Sequence, residues 1–291
     1  MGTYEAVARI EPTAASRASC LGPQGSARWP ATGFLPACIP TDALPGPWEA
    51  HAHACGLLAA RYHRDDGDVR PWLATAFATW DDRHHEALRN ASDSVCDGAM
   101  TAVSMLAHAY RWGAMPAVPD ALGHDVIELP PGLARPLRAL SERLGVPACG
   151  NLFHMVLANW RWPGAAPGAT YAPARLRADI ERVTPMYGWL QGSAADHLAA
   201  TLRCLLLTEI AGAEMLPAVL GLCDAALRHD AQAAVVHLHT VRAGIAAVSA
   251  VLGRYMRPQT IAPEVFLSVI QPHFGWGLSH EGVRLDGACG A

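Results

Sequence analysis

Apolar residues recur at spacings of three and four along most of this chain, and no stretch alternates apolar with polar residues over the length of a strand. A chain patterned this way folds as helices that each bury one stripe, so the class is all-α. Helices are expected at Trp48 to Arg61, at Pro71 to Trp80 with Trp72, Leu73, Phe77 and Trp80 on one side, and at about Val95 to Trp112. Asn90 or Ser92 would cap the third, whose Val103, Leu106, Ala107, Tyr110 and Ala114 form a stripe. A proline-rich break from Gly113 to Pro131 precedes a helix from about Leu133 to Leu144, which Gly145 would end. Asn151 to Trp160 reads as a short buried helix. Longer ones follow at Asp196 to Cys223, bent near Met215-Leu216-Pro217, at Asp230 to Tyr255, and at Pro263 to Ile270.

Punctuation divides the chain. Seven prolines among the first 47 residues make 1–47 an arm, and the turns from Trp162-Pro163-Gly164 to Thr184-Pro185 separate a small helical domain, 48–185, from a partial larger one, 186–291. With 51% apolar residues in 291, the core is sizeable. A net charge of -4, scattered without runs, gives no footprint for nucleic acid or an anionic membrane. The most apolar stretch, Leu198 to Leu222, is interrupted by Arg203, Glu209, Glu214 and Pro217. Crossing a bilayer would cost roughly 2.5 to 3.5 kcal/mol for each buried charge, so it reads as a core helix. The eight cysteines form no C-x-x-C pair, and no secretion signal opens the chain, which points to reduced thiols and the cytoplasm.

Several chemistries are excluded by motif. There is no nucleophile elbow, no phosphate-cradling loop, no dinucleotide fingerprint and no zinc spacing. His51 and His53, His84 and His85, and His237 and His239 stand too close along a helix to share a face, so each pair reads as solvated or helix-capping.

Collinear segments then point to one family. They run from Gly33-Phe34-Leu35-Pro36 through Ala109-Tyr110-Arg111-Trp112-Gly113, Leu140-Ser141-Glu142 and Leu144-Gly145-Val146-Pro147 to Val156-Leu157-Ala158-Asn159-Trp160. Glu209-Ile210-Ala211-Gly212-Ala213, Phe266-Leu267-Ser268-Val269, His280-Glu281-Gly282-Val283 and the final Gly287-Ala288-Cys289-Gly290-Ala291 continue the series. Together they resemble the indoleamine 2,3-dioxygenase family of histidine-ligated haem enzymes.

The resemblance implies a two-domain helical fold with haem b between the domains, and dioxygen and an indole-type small molecule as partners. The reaction it implies opens the indole ring of tryptophan or a related indoleamine to an N-formylkynurenine-type product. It places Leu152, Phe153, Met155 and Val156 in the apolar wall of the pocket, Phe266 and Phe274 against a planar ring, and Gly287, Ala288, Cys289 and Gly290 in a loop along ligand and porphyrin. Ordinary core packing at helical spacing would use the same residues on the Asn151 to Trp160 helix, and a C-terminal tail would use the same small ones. Gln271 stands where the family has an arginine that grips the substrate carboxylate, and a glutamine cannot supply that charge. Cys289 stands where a serine is common. The axial histidine is expected beyond Ala291, so the haem-ligating C-terminal helices are expected to lie outside this chain, in a missing segment or a second chain. His154 and His197 lie near the pocket but are not the family's ligand. Two other readings stay open: a relative acting on a modified tryptophan in secondary metabolism, and a non-catalytic helical binding protein built on the fold.

Overall fold

The computed structural model describes residues 34–62, 67–114, 127–213, 215–274, 278–280 and 283–285. Its centre is the helix expected after Ser92. The Ser92 side chain accepts a hydrogen bond from the Val95 N–H, and Gly113, at φ 71°, ends the helix at Trp112. This element is named α4 (Asp93–Trp112) because three helices precede it: α1 (Glu49–Tyr62), α2 (Arg70–Ala76) and α3 (Asp82–Asn90). Gly98, Ala99, Ala102, Ala107 and Ala109 keep α4 thin, and it is buried on nearly every side from Cys96 to Ala109. Helix α1 packs on one flank and α5 (Pro131–Leu144) on another. Gly145 closes α5 in the left-handed conformation, φ 66°, as its place after a periodic run requires.

Helix α3 has no counterpart among the expected helices. Its sequence, Asp-Arg-His-His-Glu-Ala-Leu-Arg-Asn, carries almost no apolar period; a capping box between Asp81 and His84 and the stacking of His84 on Trp80 at 3.8 Å hold it instead. His84 therefore serves as a cap. His51 departs from the solvated reading: it is 1% exposed, its Nε2–H donates to the Gly132 carbonyl at 2.9 Å, and its ring stacks on Phe77.

The second half is longer-limbed. After α6 (Pro173–Ala178) come α7 (Gly192–Ala213), α8 (Met215–Leu227) and α9 (Ala231–Tyr255), the last capped by Asp230, whose carboxylate accepts from the Ala233 N–H. The expected stretch is helical on both sides of residue 214, which lies outside the described residues, and Pro217 falls early in α8. Leu198, Leu202, Leu206 and Ile210 of α7 are buried. Only Ala218 and Ala225 of α8 are, and Leu220, Val236 and Ile245 of α8 and α9 stand more than half exposed. By length and composition, the segments Gly192–Leu227 and Ala231–Tyr255 are long and apolar enough to cross a membrane, a test that core helices also pass. Three short pieces then follow: α10 (Pro263–Val265), a π-helical turn over Phe266–Ile270, and α11 (Gln271–His273).

Short strands fasten distant segments. Strand β1 (Ile127–Glu128) pairs in parallel with β4 (Leu278–His280), which pairs antiparallel with β5 (Val283–Leu285). Strands β2 (Trp160–Arg161) and β3 (Thr184–Pro185) pair antiparallel, Trp160 opposite Pro185. At two or three residues none is long enough to show alternation in sequence.

Candidate functional site

Residues 151–159 form a tight, widened turn. The Asn151 side-chain oxygen accepts the His154 N–H at 3.0 Å, and Phe153–Leu157 then winds as a π-helical turn closed by the Ala158 N–H on the Phe153 carbonyl. His154, 1% exposed, is gripped through its ring: Nδ1 lies 3.1 Å from Asn151 Oδ1 and Nε2 lies 3.2 Å from Asp97 Oδ1. Next along, Asn159 ties the turn to a remote segment. Its Nδ2 donates to the carbonyls of Met155 (3.0 Å) and Tyr187 (2.9 Å), and its Oδ1 accepts the Tyr187 N–H (2.8 Å). These bonds and the β2–β3 pairing set Met155 and Val156 against residues 185–189.

Helix α7 and Phe274, the residue after α11, supply the other walls. Met155, Val156, Pro185, Trp189, Leu202 and Phe274, with the polar Asn159, Tyr187 and Thr201, line a small cavity of about 10 Å³. Phe274 meets Trp189 edge to face, with ring centroids 5.7 Å apart at 85°. Behind them His273, fully buried, lies flat on the Trp189 indole, centroids 3.8 Å apart and planes 17° apart. Burial, with His108 nearby, holds the His273 imidazole well below its ordinary pKa and therefore neutral. His108 fixes this corner: its Nδ1–H donates to the His273 carbonyl at 2.8 Å, and its Nε2 accepts the Gly150 N–H at 3.2 Å. No hydrogen-bond partner among the described residues meets either ring nitrogen of His273 or Nε1 of Trp189.

Gly150 is where this packing leaves no slack. A Cβ there would stand 2.1 Å from Met155 Sδ and 2.5 Å from His108 Nε2. Met155 can swing aside, but the His108 ring is held at both nitrogens. Gly150→Ala is expected to cost about 2 kcal/mol, within the usual range for overpacking, read as a lowered urea midpoint at unchanged slope.

The structure gathers some of the residues expected from sequence and scatters others. Met155, Val156 and Phe274 line the cavity. Phe153 turns the other way, toward a surface cleft with Pro36, Cys38 and Asp97. Leu152 is 51% exposed, Phe266 is half-buried against the core but off the cavity, and Gln271 is exposed. Gly287, Ala288, Cys289 and Gly290 lie outside the described residues. Trp189, Leu198, Thr201, Leu202 and His273 join the site without having been singled out as pocket residues. The one cue was a buried-type aromatic, Trp189, just ahead of the most apolar helix.

The family model described as indoleamine 2,3-dioxygenase matches residues 29–286, nearly the whole chain. The chain belongs to the indoleamine 2,3-dioxygenase family. No curated protein matches it.

Indoleamine 2,3-dioxygenases are in general haem-dependent oxidoreductases. Of that requirement the described residues supply an apolar wall with aromatic edges, around a space of about 10 Å³ that is at the lower limit for one water, ~10 to 15 Å³. Two histidines near it are already occupied: His108 and His154 have both ring nitrogens engaged. Among the described residues no three His, Cys, Asp or Glu side chains converge as a metal site.

Proposed function

We propose that this chain is a haem-dependent dioxygenase that inserts both atoms of dioxygen into an indole-type ring, giving an N-formylkynurenine-type product. The observation that carries it is the small aromatic-edged cavity between the Met155-Val156 turn and the Trp189–Phe274 corner, in a chain of this family. Bound haem would supply the activation of dioxygen, which side chains cannot. The chain's own residues bind, orient and exclude water. Trp189 and Phe274 present an edge-to-face corner that sets the plane of a bound ring, while Met155 and Val156 press on it from the opposite side. Asn159 holds those walls at fixed separation. A relative acting on a modified tryptophan is favoured by Gln271, neutral and exposed where the family's arginine stands. The buried free thiols of Cys55 and Cys204 support a cytoplasmic setting.

The test supplies haem, a reductant and isotopically labelled dioxygen to the full chain with tryptophan, chlorotryptophan and simple indoles. One ring-opened product carrying two labelled oxygens is expected. A product with one labelled oxygen, or none from any substrate, would overturn the proposal.

A further inference from the structure

Tyr187 is 3% exposed, and its buried hydroxyl meets no hydrogen-bond partner among the described residues. Its backbone is held on both sides, the N–H and the carbonyl each bonded to the Asn159 side chain. A polar group left unpaired inside a protein costs stability, so its place there needs a reason. Burial raises its pKa far above the ordinary value, with Cys55 and Asp42 adding and Arg161 opposing, so it stays a neutral phenol that can both donate and accept.

Beside it lies a cleft of about 580 Å³, formed by residues 42–45 of the arm, the first turns of α1, Arg161 and Tyr187 itself. Small-molecule sites span ~300 to 1,000 Å³. The two charged groups that act on the hydroxyl, Asp42 and Arg161, line this cleft and not the smaller cavity, so the polar end of Tyr187 faces the cleft.

The charge of the cleft favours a cation. Arg161 pairs with Asp42, which leaves Glu49, on the first turn of α1, without an opposite charge. An anion would meet two carboxylates for one guanidinium. The Arg161–Asp42 pair is open to solvent, its side chains 53% and 34% exposed, so it contributes little and an ammonium group can take the guanidinium's place beside Asp42. His53 adds a ring nitrogen, and Leu44 and Ala52 give the cleft an apolar side.

We propose that this cleft is a second binding site, for a small organic ammonium ion with an aliphatic body. Its N–H groups meet the Tyr187 hydroxyl and the carboxylates of Asp42 and Glu49, and its hydrocarbon lies on Leu44 and Ala52. A primary ammonium has three donors, one for each of these oxygens. The site stands apart from the indole pocket and does not depend on it.

Calorimetric titration of the full chain with cyclohexylmethylamine, cyclohexylmethanol and cyclohexanecarboxylate at pH 7.5 tests this. The three share a body and differ in charge. The amine is expected to bind about ten-fold tighter than either of the others, the scale of a hydrogen bond to a charged group. Glu49→Gln, a change at an exposed side chain, should cut that preference at least about three-fold. Tyr187→Phe should weaken the amine about five-fold while its urea midpoint stays level or rises, because the hydroxyl has no partner to lose. Equal or tighter binding of the carboxylate, or no binding of the amine, would overturn the proposal. So would an affinity for the amine unchanged in both variants, which would put its site elsewhere. A lowered midpoint in Tyr187→Phe would also overturn it, by showing that the hydroxyl serves the fold. Should the phenylalanine variant fail to fold, the wild-type comparison and Glu49→Gln still decide the matter.

Discussion

Asn159→Ala is expected to lower the free energy of unfolding by about 4 kcal/mol and to loosen the cavity in whatever remains folded. The side chain is 3% exposed and makes three hydrogen bonds, two to Tyr187 and one to Met155. A buried bond contributes about 1 kcal/mol net, but alanine leaves its partners in place, and each stranded buried group costs about 1 to 3 kcal/mol. Neither periodicity nor core packing replaces this fastening. The other pairings between the two segments among the described residues are the two-residue β2–β3 ladder and the Met186 N–H, which donates to the Asn159 carbonyl at 3.1 Å. Urea unfolding followed by tryptophan fluorescence checks the magnitude. A loss below about 1 kcal/mol would mean that the walls of the cavity are held by something other than Asn159.

Acidification is expected to remove about 3 kcal/mol through His51 alone. Its ordinary pKa is 6.5, and burial, the largest cause, pushes it down to about 4 despite the bond to Gly132 and with a further push from His84. The sign follows from proton binding. Between pH 6.5 and 4 the unfolded chain takes up a proton that folded His51 refuses, so stability is full above about 6.5 and falls as pH drops toward 4. At 1.36 kcal/mol for each pH unit, that window is worth about 3 kcal/mol. His273, depressed in the same direction by burial, adds to the loss. Asp81 works lower: Arg83 holds its carboxylate at about 2, so the stability it lends is present above its ordinary value and lost only in stronger acid. Denaturation curves at pH 7 and 4.5 should differ less in His51→Gln than in the wild type. Equal pH dependence in the two would contradict the burial of a neutral imidazole beside Phe77.

What sequence shows of this fold is what local pattern encodes. The class, the central helix after Ser92, the stop at Gly145 and the helix start at Asp230 each follow from a periodic run bounded by a residue with one physical role. Helix α3 escaped because its stability comes from Asp81 and Trp80, not from an apolar stripe. The site was legible on one side only. Met155 and Val156 sit in a segment that resembles the family's, and the cavity includes them. Trp189 and Leu202 reach the same cavity through Asn159 and a ladder two residues long, links with no periodicity to betray them. Gln271 and His273 show the limit most clearly: two residues apart on one short helix they face apart, and the first is exposed while the second is buried.

The central claim is that an indole ring lodges between the Met155-Val156 turn and the Trp189–Phe274 corner. Methyl-labelled methionine reports on it directly, because Met155 is one of eight methionines and its signal is assigned by Met155→Leu. On addition of 3-methylindole, the Met155 methyl resonance should move upfield through the ring current and show cross-relaxation to the indole protons, and Val156→Trp should abolish both. A ligand-induced shift confined to Met215 or Met256, or none at all, would contradict the account.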